Sequence, residues 1–75
     1  MSKQTKSTDS VYRVTEVIGT STKSWEDAAR NAVETAARTL RDLRVAEVVK
    51  TDLKVKGGKV KAYRTRVLLS FKYGS

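Results

Sequence analysis

Apolar and polar residues alternate with three different rhythms along this chain. Met1 to Ser10 (MSKQTKSTDS) show no apolar periodicity and read as a disordered polar tail. From Val11 the run V-Y-R-V-T-E-V-I mixes β-branched and aromatic residues with polar ones and predicts a first strand, closed by a loop over Gly19-Thr20-Ser21-Thr22-Lys23. The rhythm then changes to steps of three and four: Trp25, Ala28, Ala29, Ala32, Val33, Ala36, Ala37, Leu40 and Leu43. One continuous stripe at that spacing predicts a helix, and without Gly or Pro inside it the helix runs from Trp25 to Leu43. Ser24 sits at the N-cap position, Asp27 three residues on is a capping-box acid, and Glu26 and Asp27 face the positive end of the helix dipole. Because the stripe is mostly alanine, the helix can lie close to its support.

Beyond Arg44 the period returns to two, in two runs separated by Gly57-Gly58. Glycine takes the positive φ that a two-residue turn demands, so the runs form a β-hairpin. The uninterrupted register sets Lys56 against Lys59, Thr51 against Arg64, Val49 against Arg66 and Glu47 against Leu68. One face then carries Ala46, Val48, Tyr63, Val67, Leu69 and Phe71, suited to receive the alanine stripe. The other carries Val45, Glu47, Val49, Thr51, Ala62, Arg64, Arg66 and Leu68. The predicted fold is α+β: a β-α-β-β domain over residues 11–75, with one three-stranded antiparallel sheet. A single helix cannot cover both sides of that sheet, and the half-apolar open face calls for association with other copies.

Composition strengthens the same conclusion. A 75-residue chain that is 39% hydrophobic folds alone with little margin. It has no Cys and no His, so neither disulfides nor a zinc site of the usual kind supports it. The same absences exclude Ser-His and Cys-His nucleophile pairs, and no enzyme reading stands out. There is no apolar run long enough for a membrane span and no secretory h-region, so a soluble cytoplasmic protein is expected. The net charge is +8, but Lys and Arg look scattered and interleaved with acids. No RNA-recognition or zinc-finger signature is present. A solvated basic surface is the plain reading; a nonspecific nucleic-acid-binding module ranks third among the functional readings. Trp25 lies on the helical stripe and reads as packing. Glu47 and Arg66 read as an ion pair, within one subunit or between subunits, with ligand contact by Arg64 or Arg66 the alternative. Asp42 and Glu47 are candidates to join carboxylates of other copies around Ca²⁺ or Mg²⁺, which needs only oxygen ligands.

The chain resembles the dodecin family. The likeness is carried by Val11-Tyr12-Arg13-Val14 leading into Ile18-Gly19-Thr20-Ser21, by Ser24-Trp25-Glu26 with Ala28-Ala29 and Asn31-Ala32-Val33, by Thr39-Leu40-Arg41-Asp42-Leu43-Arg44-Val45-Ala46-Glu47-Val48, and by Ala62-Tyr63-Arg64 with Val67 to Phe71. The resemblance implies a sheet wrapped round its helix and a hollow homododecamer that stores small ligands. It also implies flavin (riboflavin or FMN) sandwiched by a tryptophan and hydrogen-bonded by a glutamine. Here Val45 stands at the tryptophan position and Arg64 at the glutamine position, which places the chain in a subgroup lacking the stacking tryptophan. Valine covers far less of a flat ring, and arginine donates but cannot accept. Flavin affinity is therefore expected to be weakened at a pocket of Val45, Arg64, Glu47 and Arg66. The alternative is a flavin-free structural or Ca/Mg-binding cage; coenzyme A is a further ligand that the resemblance allows. Expected partners are other copies of the chain and a small molecule, with no specific nucleic acid and no membrane.

Overall fold

The computed structural model describes residues 11–72, so the expected polar tail lies outside the described residues. Four elements follow in order: β1 (Tyr12–Ser21), α1 (Trp25–Ala36), β2 (Leu43–Lys56) and β3 (Lys59–Lys72). They build one antiparallel sheet in the order β1-β3-β2, with β3 in the centre. The predicted β-α-β-β topology is therefore what forms.

The start of α1 behaves as its sequence directs. Ser24 is extended, and its Oγ accepts the Asp27 amide at 3.0 Å. The Asp27 carboxylate turns to the loop, where it accepts a hydrogen bond from Ser21 Oγ at 2.7 Å, while the same hydroxyl accepts from the Lys23 amide at 2.9 Å. Ser21 belongs to β1: the segment from Gly19 to Ser21, expected as loop, is strand paired with Thr65, Arg64 and Tyr63. Gly19 works there by close approach. A Cβ at this position would lie 2.0 Å from the Ala28 carbonyl oxygen and 2.9 Å from Ala32 Cβ. Glycine opposite alanine lets α1 rest on the strand backbone.

The helix ends earlier than its apolar stripe predicts, at Ala36 rather than Leu43. The Arg38 and Thr39 amides reach back three residues, to the Thr35 and Ala36 carbonyls, tightening the last turn. Asp42 then adopts φ 58, a left-handed conformation that Asp tolerates, and reverses the chain into β2. Leu40, in the connection, and Leu43, the first residue of β2, still pack against the core. Helical spacing persists past the helix because both conformations serve the same apolar target.

Gly57 and Gly58 take φ 60 and φ 75 and close the hairpin as predicted, with Lys56 opposite Lys59. Bulges then correct the simple register. Between Lys54 and Val55 the β3 partner jumps from Ala62 to Val60, and Val49 is an extra residue of β2. Consequently Thr51 faces Thr65, Asp52 faces Arg64 and Lys50 faces Arg66, while Glu47 returns opposite Leu68. Between the two bulges, Thr51 and Leu53 share the helix side, whereas Lys50 and Asp52 share the outer side.

Packing is one-sided. α1 seats on β1 and β3 and barely touches β2. The buried hydrophobic residues are Ala28, Ala32, Val67, Leu69 and Phe71. Three large side chains, each contributing about 1.5–3 kcal/mol on burial, make a thin core. Among the described residues eleven large apolar ones stay exposed, including Val14, Ile18, Val45, Val48, Val55 and Val60. Leu53, Val55 and Val60 line the helix side of the hairpin where it projects past the start of α1.

Candidate functional site

The outer sheet face holds the residues singled out from the sequence. Val45 sits on β2 opposite Ser70 and is 54% exposed. Arg64 faces Asp52, and the two form a bidentate pair: Nε donates to Oδ1 at 2.7 Å and Nη2 to Oδ2 at 2.9 Å. These hydrogen bonds, reinforced by the charge of Arg64, hold the Asp52 carboxyl below its ordinary value and raise the Arg64 guanidinium above its own. Lys50 and Arg66 push Asp52 the same way. The guanidinium is thus already occupied by a carboxylate.

Val45 lies opposite Ser70, six residues along β3 from Arg64, so the two positions stand about 20 Å apart within one chain. One copy cannot wrap both round a single ring. Within one chain Arg66 does not pair with Glu47: its Nη1 donates to Glu16 Oε2 at 2.9 Å, across from β1. The physical reason is strand order, since β3 is central and β1 offers its carboxylate on the same face. Glu47 remains exposed beside Leu68. Asp42 lies at the turn into β2, with Arg44 Nη2 at 3.9 Å from its carboxylate. Among the described residues no group of three or more His, Cys, Asp or Glu comes together as a metal site.

Trp25 packs as expected, although its ring remains partly exposed. It meets Tyr63 edge-on at 5.3 Å, its Nε1 donates to the Asp52 carbonyl at 3.0 Å, and its own carbonyl accepts from buried Thr65 Oγ1 at 2.8 Å. Asp52 thereby ties three elements together: its backbone holds the helix start and its side chain holds β3. No local sequence motif signals this junction, because the Val49 bulge sets its alignment. The one-sided seating of α1 also leaves an open groove of about 460 Å³ beside β2, lined by Trp25, Glu26, Ala29, Val48, Thr51 and Thr65. That groove was not legible in the sequence either, since it depends on which strands the helix covers. Among the described residues no helix is long and apolar enough to cross a membrane.

Comparison with known proteins agrees with this architecture. The Dodecin family model matches residues 11–74. The calcium dodecin of Mycobacterium tuberculosis is 44% identical over 63 residues, covering 84% of this chain and 89% of that protein. Its crystal structure, described as containing a novel calcium-binding site, superposes with a TM-score of 0.74 at 46% identity, covering 83% of this chain and 89% of that one. The Streptomyces coelicolor dodecin superposes with a TM-score of 0.81 at 37% identity, covering 89% of this chain and 96% of that one. Fold, strand order and sequence match agree, and the chain belongs to the dodecin family.

Proposed function

We propose that this chain works as a homo-oligomeric, dodecamer-type shell that binds small ligands and catalyses no reaction. The observation that carries the proposal is the unfinished core. Among the described residues five hydrophobic ones are buried while eleven large ones stay exposed, most of them on the two sheet faces and along the hairpin. Other copies of the chain are the natural cover for such surface. Flavin is the ligand class brought by the family resemblance, at Val45 and Arg64 with Glu47 and Arg66 nearby. Its affinity is reduced here, because Val45 supplies no aromatic wall and Arg64 is engaged by Asp52. Light scattering at micromolar concentration is expected to report twelve copies of the 8.4 kDa chain, about 100 kDa; monomers or dimers would overturn the assembly. Riboflavin fluorescence is expected to titrate with a Kd in the micromolar range or weaker, about −8 kcal/mol or less favourable.

A calcium- or magnesium-holding shell is the second reading, favoured by the calcium dodecin relative. A hard cation of this kind takes six or more oxygens. Asp42 and Glu47 are five residues apart, so a single chain does not fit the ion, and carboxylates of several copies would have to converge. Raised thermal stability in millimolar Ca²⁺, lost in Asp42→Asn and Glu47→Gln, supports this reading; an unchanged melting curve sinks it.

A further inference from the structure

Taking the chain as a homo-oligomer, as proposed, we infer that its copies join head-to-tail: the projecting hairpin of one copy docks in the groove beside β2 of the next. Trp25, at the start of α1, is bonded to the Asp52 carbonyl and to Thr65, so the helix begins level with those residues. Residues 53–62, with the Gly57-Gly58 turn at their middle, project beyond it. Leu53, Val55 and Val60 share the helix side of this projection and are 41%, 59% and 52% exposed. Further back on the same side of β2, Val48 and Thr51 line the groove of about 460 Å³ with Trp25, Glu26, Ala29 and Thr65.

One chain cannot cover either surface with the other. Val48 and Val55 lie on the same strand, about 20 Å apart. Extended backbone joins them, so the apolar row cannot fold back into its own groove. A second copy supplies an occupant of fitting shape. Its hairpin is two strands about 4.8 Å apart, apolar on one side and ending in two glycines. Nothing lies within 4 Å of where a side chain would start at either glycine, so the tip enters a groove without obstruction.

Charge selects the orientation. Residues 53–62 carry four lysines and no acid. Two such hairpins packed tip to tip would crowd like charges together, which disfavours that arrangement. The groove is instead lined by exposed Glu26, which among the described residues makes no ion pair inside its own chain. Head-to-tail docking brings lysines towards that carboxylate. In the same step Leu53, Val55 and Val60 leave water against Trp25, Ala29 and Val48. Unlike halves also shape the assembly, because a head-to-tail joint closes rings whereas a self-complementary one stops at pairs. The outer face, with Val45, Arg64 and Arg66, stays available for the ligand.

The test uses the full-length chain, in which introduced thiols are the only ones because the sequence has no Cys. Val48→Cys and Val55→Cys in one chain, treated with a short bismaleimide, are expected to give covalent species larger than dimers on a denaturing gel. The distance of about 20 Å between the two positions excludes a bridge within one chain. Each single variant is expected to stay a single chain. Dimers from either single variant would mean that like surfaces meet, and would overturn the proposal. So would a double variant that forms the large assembly by light scattering yet does not cross-link; that result leaves the shell standing and removes this joint alone. Monomers of the unaltered chain would overturn the shell and the joint together. As a second readout, Val55→Ser is expected to raise the concentration at which the assembly dissociates by about tenfold or more. Lys56→Ser, on the opposite side of the same ribbon, is expected to change it by about threefold or less, since an exposed ion pair contributes little. Equal effects of the two changes would overturn the assignment of the apolar side to the joint. Circular dichroism on each variant separates loss of contact from loss of fold.

Discussion

Gly19→Ala is a small change with a large expected consequence. The added Cβ would sit 2.0 Å from the Ala28 carbonyl oxygen, 2.9 Å from Ala32 Cβ and 3.0 Å from the Ala28 carbonyl carbon. A carbon–oxygen contact settles at about 3.3 Å or more, so α1 must retreat from β1 by over 1 Å. The obstacle is helix backbone, which no rotamer change relieves. A gap of 0.5–1 Å already forfeits about a quarter to a half of the dispersion at a contact, and the retreating helix carries Ala32 away from Val67 and Leu69. Overpacking costs about 1–3 kcal/mol, and this site belongs at the upper end, near ~3 kcal/mol.

Gly57→Ala is the informative comparison. Nothing lies within 4 Å of a Cβ there, but φ is +60. The left-handed penalty of about 1–2 kcal/mol, partly offset by a stiffer unfolded chain, leaves a net loss near ~1 kcal/mol. Thermal unfolding followed by circular dichroism, at one fixed protein concentration, is expected to show Gly19→Ala falling by more than ~12 °C and Gly57→Ala by roughly 4–8 °C. Combining Gly19→Ala with Ala32→Gly should recover less than half of the loss, because the carbonyl clash remains. A Gly19→Ala protein within ~0.5 kcal/mol of the parent, or less affected than Gly57→Ala, would refute the close-approach argument.

Ser24→Ala should lower stability by about 1 kcal/mol in urea unfolding, through loss of the cap on the Asp27 amide. Asp52 has a folded pKa held below its ordinary value, so its stabilising effect is complete above the unfolded carboxylate range, near pH 4, and fades as pH falls through the lower folded value. Asp52→Asn is therefore expected to flatten the acid limb of a stability–pH curve; an identical limb in both proteins would contradict the role given to Arg64. Val45→Trp with Arg64→Gln should strengthen riboflavin quenching more than the sum of the single changes, because one ligand would touch both positions through different copies. Additive effects would place the two positions in separate sites.

Much of the protomer was legible in its residues. The alternation from Val11, the alanine stripe from Trp25 and the Gly57-Gly58 turn each encode a local geometry, and together they dictate β-α-β-β. Ser24 marks the helix start because a cap is a contact between residues three apart. Features that need distant segments were not legible. The stripe reaching Leu43 concealed a helix end at Ala36, since burial of Leu40 and Leu43 constrains where a side chain goes and not which backbone carries it there. The candidate site shows the same limit. Spacing placed Arg64, Arg66 and Glu47 on one face, but two bulges and the central position of β3 decided their partners, Asp52 for Arg64 and Glu16 for Arg66. The sequence by itself determined the type and order of the elements and the hairpin turn, because periodicity and glycine conformation are properties of the local chain. Only the tertiary structure decided that α1 seats on β1 and β3 and reaches β2 chiefly through Trp25, and that scattered lysines align along one ribbon, because strand order and register arise from contacts between residues far apart in the chain.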